Sequence, residues 1–328
     1  MSKRFKQNKI NEIKKPAATD SNSNFANDKN ENVLNAKTNL FSFLSGFLFS
    51  FLLISIHFCL KNYHYDDLFF ITKINNNDFD KTVIPKHKLA IVVPFRDRFN
   101  ELSVFVPKIS KFLDIKSIDH KIYIVNQVDK YRFNRAALIN IGFLTSMNEC
   151  DYMAMHDVDL IPLNDFCSYD YPELGPYHVS TSGLHPEYNY STFIGGILIV
   201  NKNDFLKTNG MSNRYWGWGK EDDDLFLRFK EADLTVQRPN LNEYKTNFRY
   251  TFFHNHDETE RPRDKKRFIK QKNESLKLDI TGLNNIQYRI VKKYQLFVEN
   301  YPCTIVDVEL FCDKTETHWC TMDYQFYE

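Results

Sequence analysis

The chain has 328 residues, with 43 Lys and Arg against 42 Asp and Glu, so its formal net charge is +1. That balance supplies no global field for nucleic acid or for a strongly acidic partner. Hydrophobic residues make up 42% and aromatic residues 15%, enough for a sizeable core in one large domain with a tail or in two small domains.

Residues 1–40 are rich in Asn, Lys, Ser and Asp and read as a disordered tail. The composition then changes abruptly. Residues 41–60, FSFLSGFLFSFLLISIHFCL, contain no Asp, Glu, Lys or Arg, and about 20 such residues cross a hydrocarbon core of roughly 30 Å. A cleaved signal peptide would start at the N-terminus and end in small residues, so this segment reads as a transmembrane anchor. Lys3, Arg4, Lys6, Lys9, Lys14 and Lys15 precede it, whereas His64, Asp66 and Asp67 follow it. The basic flank marks the cytosolic side, which gives a single-pass type II topology with the remainder luminal. Residues 61–87 form a polar stem, and the luminal body spans 88–328, with no internal repeats.

Within that body, Leu89–Pro94 reads as a buried strand and Arg98–Leu113 as a helix that Pro107 threatens to interrupt. Lys121–Val125 is a second strand, Asn134–Met147 a second helix and Tyr152–His156 a third strand. Strand–helix alternation predicts an α/β fold with a parallel sheet and helices on its faces, and ligands at the carboxyl ends of the strands. Cys312 and Cys320 lie close enough in sequence to close a small loop in an oxidising lumen. Cys150, Cys167 and Cys303 read as buried thiols, and no CxxC motif supports a zinc site. Asn189 and Asn273 head glycosylation sequons.

Four constellations carry chemistry. His156-Asp157-Val158-Asp159-Leu160 follows the third strand, and in extended backbone its two aspartates would point the same way. Paired carboxylates call for a cation, and Mg²⁺ or Mn²⁺ suits oxygen ligands shared with phosphate. Trp216-Gly217-Trp218-Gly219-Lys220 leads into Glu221, Asp222, Asp223 and Asp224 at a helix start, placing a candidate base beside a sugar-stacking ring. The bland alternative for these carboxylates is favourable placement in the helix dipole. His254 and His256, two apart after an apolar run, are candidate metal ligands beside Asp159. Arg96 and Arg98 after the first strand, and Arg135 after Phe133 and Asn134, suit phosphate or uracil contacts. A basic run, Arg263, Lys265, Lys266 and Arg267, follows the histidines and with the Trp218 loop is a candidate for closing over a ligand.

The motifs PFRDR, FNRAALINIGF, HDVDL, FIGG, NGMSNRYWGWGKEDDD and HNH, in this order, resemble the β-1,4-galactosyltransferases over roughly residues 88–267. The His-x-His motif looks most similar to the branch that adds galactose to xylose on proteoglycan core proteins, and Cys312 and Cys320 look like that branch's disulfide. The resemblance implies a GT-A fold, a Rossmann-like mixed sheet flanked by helices, behind a signal anchor in the Golgi membrane. It implies Mn²⁺ held by Asp159, His254 and His256. UDP-galactose would contact Pro94, Phe95, Arg96, Asp97, Arg98, Phe133, Asn134, Arg135, Val158, Asp159, His254, His256 and Arg263. Asp222 matches the catalytic base. Tyr188, Tyr190, Trp218, Gly219, Glu221, Asp222 and Asp223 match the acceptor pocket. Asn189, between two acceptor tyrosines, is expected to be unglycosylated. Two other readings remain: transfer of galactose or N-acetylgalactosamine to N-acetylglucosamine, and an inactive sugar-binding membrane protein.

Overall fold

A computed structural model describes residues 86–244, 251–254, 256, 263 and 280–324. The chain divides into Met1–Thr82 and Val83–Glu328, and every described residue belongs to the second unit. The predicted anchor at 41–60, most of the stem, Asn255, Lys265, Lys266, Arg267 and Asn273 lie outside the described residues. Among the described residues, no helix is long and apolar enough to cross a membrane.

In chain order the elements begin β1 (Leu89–Phe95), α1 (Phe99–Ile115), β2 (His120–Gln127), α2 (Arg135–Ser146) and β3 (Tyr152–His156). Next come β4 (Leu160–Pro162), β5 (Tyr177–His178), β6 (Ile197–Asn201), α3 (Lys202–Lys207) and α4 (Glu221–Glu231). β7 (Phe252–His254), β8 (Tyr288–Val298) and β9 (Tyr301–Leu310) follow.

A seven-stranded sheet runs β5-β6-β3-β1-β2-β9-β8, and β4 pairs with β7 in a separate two-stranded sheet. β3, β1, β2 and β9 are mutually parallel, while β6, β5 and β8 join antiparallel. The sheet is therefore mixed, and the parallel order read from the sequence describes its centre. β1 is buried on both faces, as a central strand must be. Leu89, Ile91, Val93 and Phe95 share one core with Leu102, Phe105, Val106 and Ile109 of α1. Ala90 and Val92 share the other with Ala136, Leu138, Ile139 and Ile141 of α2.

Pro107 sits inside α1 without ending it. An interior proline costs about 3 kcal/mol. Five buried apolar side chains on one helix face (Leu102, Phe105, Val106, Ile109 and Leu113) outweigh it, at roughly 1.5–3 kcal/mol each. Asn134 caps α2 by accepting from the Ala137 N–H at 2.9 Å. Cys312 and Cys320 form a disulfide, and Cys150, Cys167 and Cys303 are buried free thiols.

Candidate active site and metal centre

The parallel strands β1, β2 and β3 end on the same side of the sheet, which gathers the loops that follow them. Asp157 and Asp159 arrive there together but do not converge. Alternation of side chains needs extended backbone, and the chain turns after His156, with the Leu160 N–H donating to the Asp157 carbonyl at 3.3 Å. Asp157 faces Arg135, whose Nε and Nη2 lie 2.8 and 2.7 Å from its Oδ1. Asp159 faces Arg98 at 2.5 Å. Each carboxylate has its own cation, so the paired-aspartate expectation is corrected: only Asp159 enters the metal cluster.

β4–β7 pairing completes that cluster. Leu160 lies opposite His254, which sets Asp159 beside the histidines. One ligand atom each from Asp159, His254 and His256 fall within 4.8 Å of one another. The two imidazoles stack at 5.7 Å with 8° between their planes. His256 Nδ1 lies 3.4 Å from Asp159 Oδ2, while its Nε2 is buried without a hydrogen-bond partner. A buried imidazole nitrogen without a hydrogen-bond partner is costly, and a metal ion is a partner that its lone pair suits. Two nitrogens and one carboxylate suit a divalent ion that accepts mixed ligands, so the residues fit Mn²⁺. Burial raises the Asp159 pKa, but its contact with His256 and the charge of Arg98 prevail and hold it at about 2.

The four acidic residues opening α4 have four different environments. Asp224 is structural: it is buried, takes Arg228 Nε at 2.8 Å and accepts from the Tyr215 hydroxyl at 3.2 Å. Asp223 pairs with Lys220 at 2.6 Å. Glu221 Oε1 lies 3.7 Å from Arg135, and its Oε2 is buried without a partner. Asp222 accepts from the Asp223 N–H through Oδ1, and its Oδ2 lies against Gly195, where a Cβ would sit 2.7 Å away. Glycine at 195 therefore makes room for this carboxylate. Burial raises both Glu221 and Asp222 above the ordinary carboxylate range, joined by the Asp222 charge at Glu221 and the Asp223 charge at Asp222, against the pull of Arg135.

On the opposite wall, Tyr188 and Tyr190 rest on Phe193 at ring distances of 5.1 and 5.4 Å. The Tyr190 hydroxyl is raised by burial and by the charges of Asp222, Asp223 and Glu221. Arg263 lies over Trp218 at 5.2 Å and Tyr188 at 5.7 Å. Asn189 is exposed, and its side-chain oxygen accepts from the Ser182 hydroxyl.

The remaining expected donor residues line the β1 and α2 ends. Pro94, Phe95 and Val158 are buried, and Asp97 adopts φ +54° in the turn that delivers Arg98. Arg96 is half-buried beside them. Its guanidinium donates to the carbonyls of Gln127, Tyr131 and Asp129 and so fixes the loop before α2. The Phe133 carbonyl accepts from Gly217 N–H at 2.8 Å, tying that loop to the tryptophan–glycine segment beside Gly219.

Four residues of the site escaped sequence reading. Glu187 reaches His254 Nδ1 at 3.2 Å and Arg263 at 2.6 Å. His185 packs 5.7 Å from His254, held neutral by burial, with a pKa of about 4. His178 and Arg238 bond to the segment that carries Phe193 and Gly195. The Leu184-His185-Pro186-Glu187 run before the tyrosines was the available signal for the first two. Nothing in local sequence marks the others.

Residues 75–172 match the family model described as the N-terminal region of glycosyl transferase group 7, and residues 175–255 that described as the N-terminal domain of galactosyltransferase. The chain is 52% identical over 238 residues to β-1,4-galactosyltransferase 7 of Homo sapiens, covering 72% of this chain and 71% of the relative. It is 42% identical over 247 residues to xylosylprotein 4-beta-galactosyltransferase of Caenorhabditis elegans, covering 71% and 82% respectively. A crystal structure of a Drosophila β-1,4-galactosyltransferase 7 Asp-to-Asn mutant, in complex with manganese, UDP-Gal and xylobiose, superposes with a TM-score of 0.69 at 47% identity. It covers 72% of this chain and 100% of that one.

Proposed function

The chain belongs to the β-1,4-galactosyltransferase family, and on that premise we propose that it transfers galactose from UDP-galactose to the 4-hydroxyl of xylose on proteoglycan core proteins. The cluster of Asp159, His254 and His256 carries the reading. The relatives named for xylosylprotein transfer, and the Drosophila structure holding xylobiose, support xylose as the acceptor. The fold is the GT-A arrangement of those structural neighbours.

UDP-galactose is α-linked and the expected product is β-linked. A single in-line displacement inverts the centre, so one base suffices and no carboxylate nucleophile is required. Asp222 takes the proton from the xylose 4-hydroxyl as the new bond to galactose C1 forms and the bond from C1 to UDP breaks. Its Oδ2 lies at the glycine-lined wall, whereas Asp223 and Asp224 are engaged by Lys220 and Arg228. Bound by Asp159, His254 and His256, Mn²⁺ supplies Lewis-acid stabilisation of the departing diphosphate in place of a general acid. Arg98 and Arg135 add fixed positive charge at the same strand ends. Tyr188, Tyr190 and Trp218 provide the aromatic faces on which the acceptor sugar rests.

The enzyme belongs in the Golgi membrane as a single-pass type II protein, a reading supported by the uncharged segment 41–60 and its basic N-terminal flank. The test of function is transfer from UDP-galactose with Mn²⁺ to a β-xyloside and to a β-N-acetylglucosaminide, side by side. Transfer to the xyloside alone is expected. Transfer to the glucosaminide alone would retain the fold and base but replace the acceptor, and transfer to neither would leave a sugar-binding protein.

A further inference from the structure

Past the far end of α4 the chain returns to the site. The Gln237 carbonyl accepts from the His178 N–H at 2.9 Å, an arrangement that brings Arg238 alongside β5. Arg238 donates to the Phe193 carbonyl at 3.0 Å, the Ser191 carbonyl at 2.8 Å and the Thr181 hydroxyl at 2.5 Å. Its Nη1 also faces His178 Nδ1 at 2.9 Å. A guanidinium only donates, so His178 accepts at Nδ1 and carries its proton on Nε2. That Nε2–H donates to the Gly195 carbonyl at 2.8 Å, which the Ser180 hydroxyl also bonds at 2.9 Å. His178 and Ser180 are fully buried. Burial lowers the His178 pKa to about 3, so the imidazole stays neutral and the tautomer holds.

This network grips two carbonyls that flank the site's two halves. Phe193 is the ring under Tyr188 and Tyr190, and Gly195 is the residue against Asp222 Oδ2. We propose that Arg238, acting directly on Phe193 and through His178 on Gly195, is a positioning residue that sets the acceptor platform and the base in register with each other. α4 thus starts at the base and is followed, a few residues beyond its end, by the clamp that fixes the base's opposite wall. The inference rests on the reading of Asp222 as base and of the tyrosines as acceptor platform. A misplacement of about 1 Å at such a site costs up to 10²-fold.

The test uses the full-length chain in detergent with Arg238→Met, Arg238→Lys and His178→Gln. Calorimetry measures UDP binding with Mn²⁺, then xylobiose binding to the loaded protein, and steady-state assays with a β-xyloside follow. Arg238→Met is expected to leave UDP and Mn²⁺ affinity unchanged, to weaken xylobiose binding, and to lower kcat/KM for the acceptor by roughly 10- to 100-fold. Arg238→Lys, which keeps the charge but not the fork, should recover part of the loss. His178→Gln, which keeps a donor for Gly195, should show a smaller loss in the same parameters and covers the case in which Arg238→Met fails to fold. Equal xylobiose affinity in wild type and a folded variant, or equal losses in donor and acceptor binding, overturns the proposal. Wild-type protein that binds xylobiose but transfers no galactose would instead overturn the proposed function, while the binding comparison still decides the clamp.

Discussion

At the scale of single residues, the carboxylates at the start of α4 show function opposing stability. Asp222→Asn is expected to reduce transfer by roughly 10²–10⁴-fold and to leave UDP and Mn²⁺ binding intact. The same change should raise the thermal midpoint of the metal-free protein at neutral pH. Burial and the neighbouring Asp223 charge place the folded pKa of Asp222 above its unfolded value. An acid raised in this way stabilises the fold below its unfolded pKa, and that contribution is lost as pH rises through the folded pKa. At neutral pH the folded protein carries a repelled carboxylate, and asparagine removes it. Differential scanning calorimetry in chelator, beside an activity assay, checks both halves; a variant of normal turnover would move the base elsewhere. For the same reason the acid limb of the wild-type pH–rate profile should lie well above the value of about 3.9 for free aspartate.

Glu187 makes a separate case at this scale. Its 3.2 Å contact with His254 Nδ1 holds that ring in the manner of a carboxylate behind a metal ligand. Glu187→Ala should weaken Mn²⁺ binding by roughly 10–100-fold, and Glu187→Gln less, because an amide oxygen still accepts from the ring. Titration of Mn²⁺ in the presence of UDP measures it. Equal affinity would reduce Glu187 to a surface ion pair worth about 0–1 kcal/mol. Sequence alone offered Asp159, His254 and His256 as a candidate set because carboxylate and imidazole are metal ligands and the family resemblance joins the three. It did not separate Asp157 from Asp159, since that distinction depends on a turn, and it did not show Glu187, whose role exists only once two distant segments meet.

At the scale of elements, close packing between α2 and the sheet sets a limit that composition hides. Gly142 lies over β1, and a Cβ there would come within 2.2 Å of Val92 Cγ1 and 3.1 Å of Val125 Cγ2. Both valines sit in buried strands with little freedom to shift. Gly142→Ala should therefore destabilise the protein by about 1–3 kcal/mol, although alanine is the better helix former by up to ~1 kcal/mol. Urea denaturation measures the loss, and a gain in stability would mean that the helix can lift from the sheet at little cost. The strands β1, β2 and β3 and helices α1 and α2 were legible because each is an apolar run or stripe with a single periodicity. The β8–β9 hairpin was not. β8 is almost wholly exposed, with Arg289, Lys292 and Lys293 interrupting its apolar positions, and its turn is Glu299–Asn300 rather than a glycine pair. β4 and β7 have three residues each, too short for any periodicity, yet their pairing sets the metal ligands side by side.

For the molecule as a whole, chemistry and location separate along the chain. Every residue assigned here to metal, base or acceptor lies between Pro94 and Arg263, beyond the uncharged segment at 41–60. The proposed type II topology would place the body in an oxidising compartment, where the disulfide between Cys312 and Cys320 would persist. Removing residues 1–60 and secreting the remainder should thus give a soluble enzyme with the same kcat/KM for a β-xyloside as the full-length chain in detergent. The full-length chain should resist carbonate extraction from microsomes, and its body should be protected from added protease until the membrane is opened. Carbonate-soluble full-length protein would remove the anchor. A secreted form that binds UDP with Mn²⁺ but has lost acceptor turnover would instead place part of the acceptor site in the N-terminal region, and the separation argued here would fail.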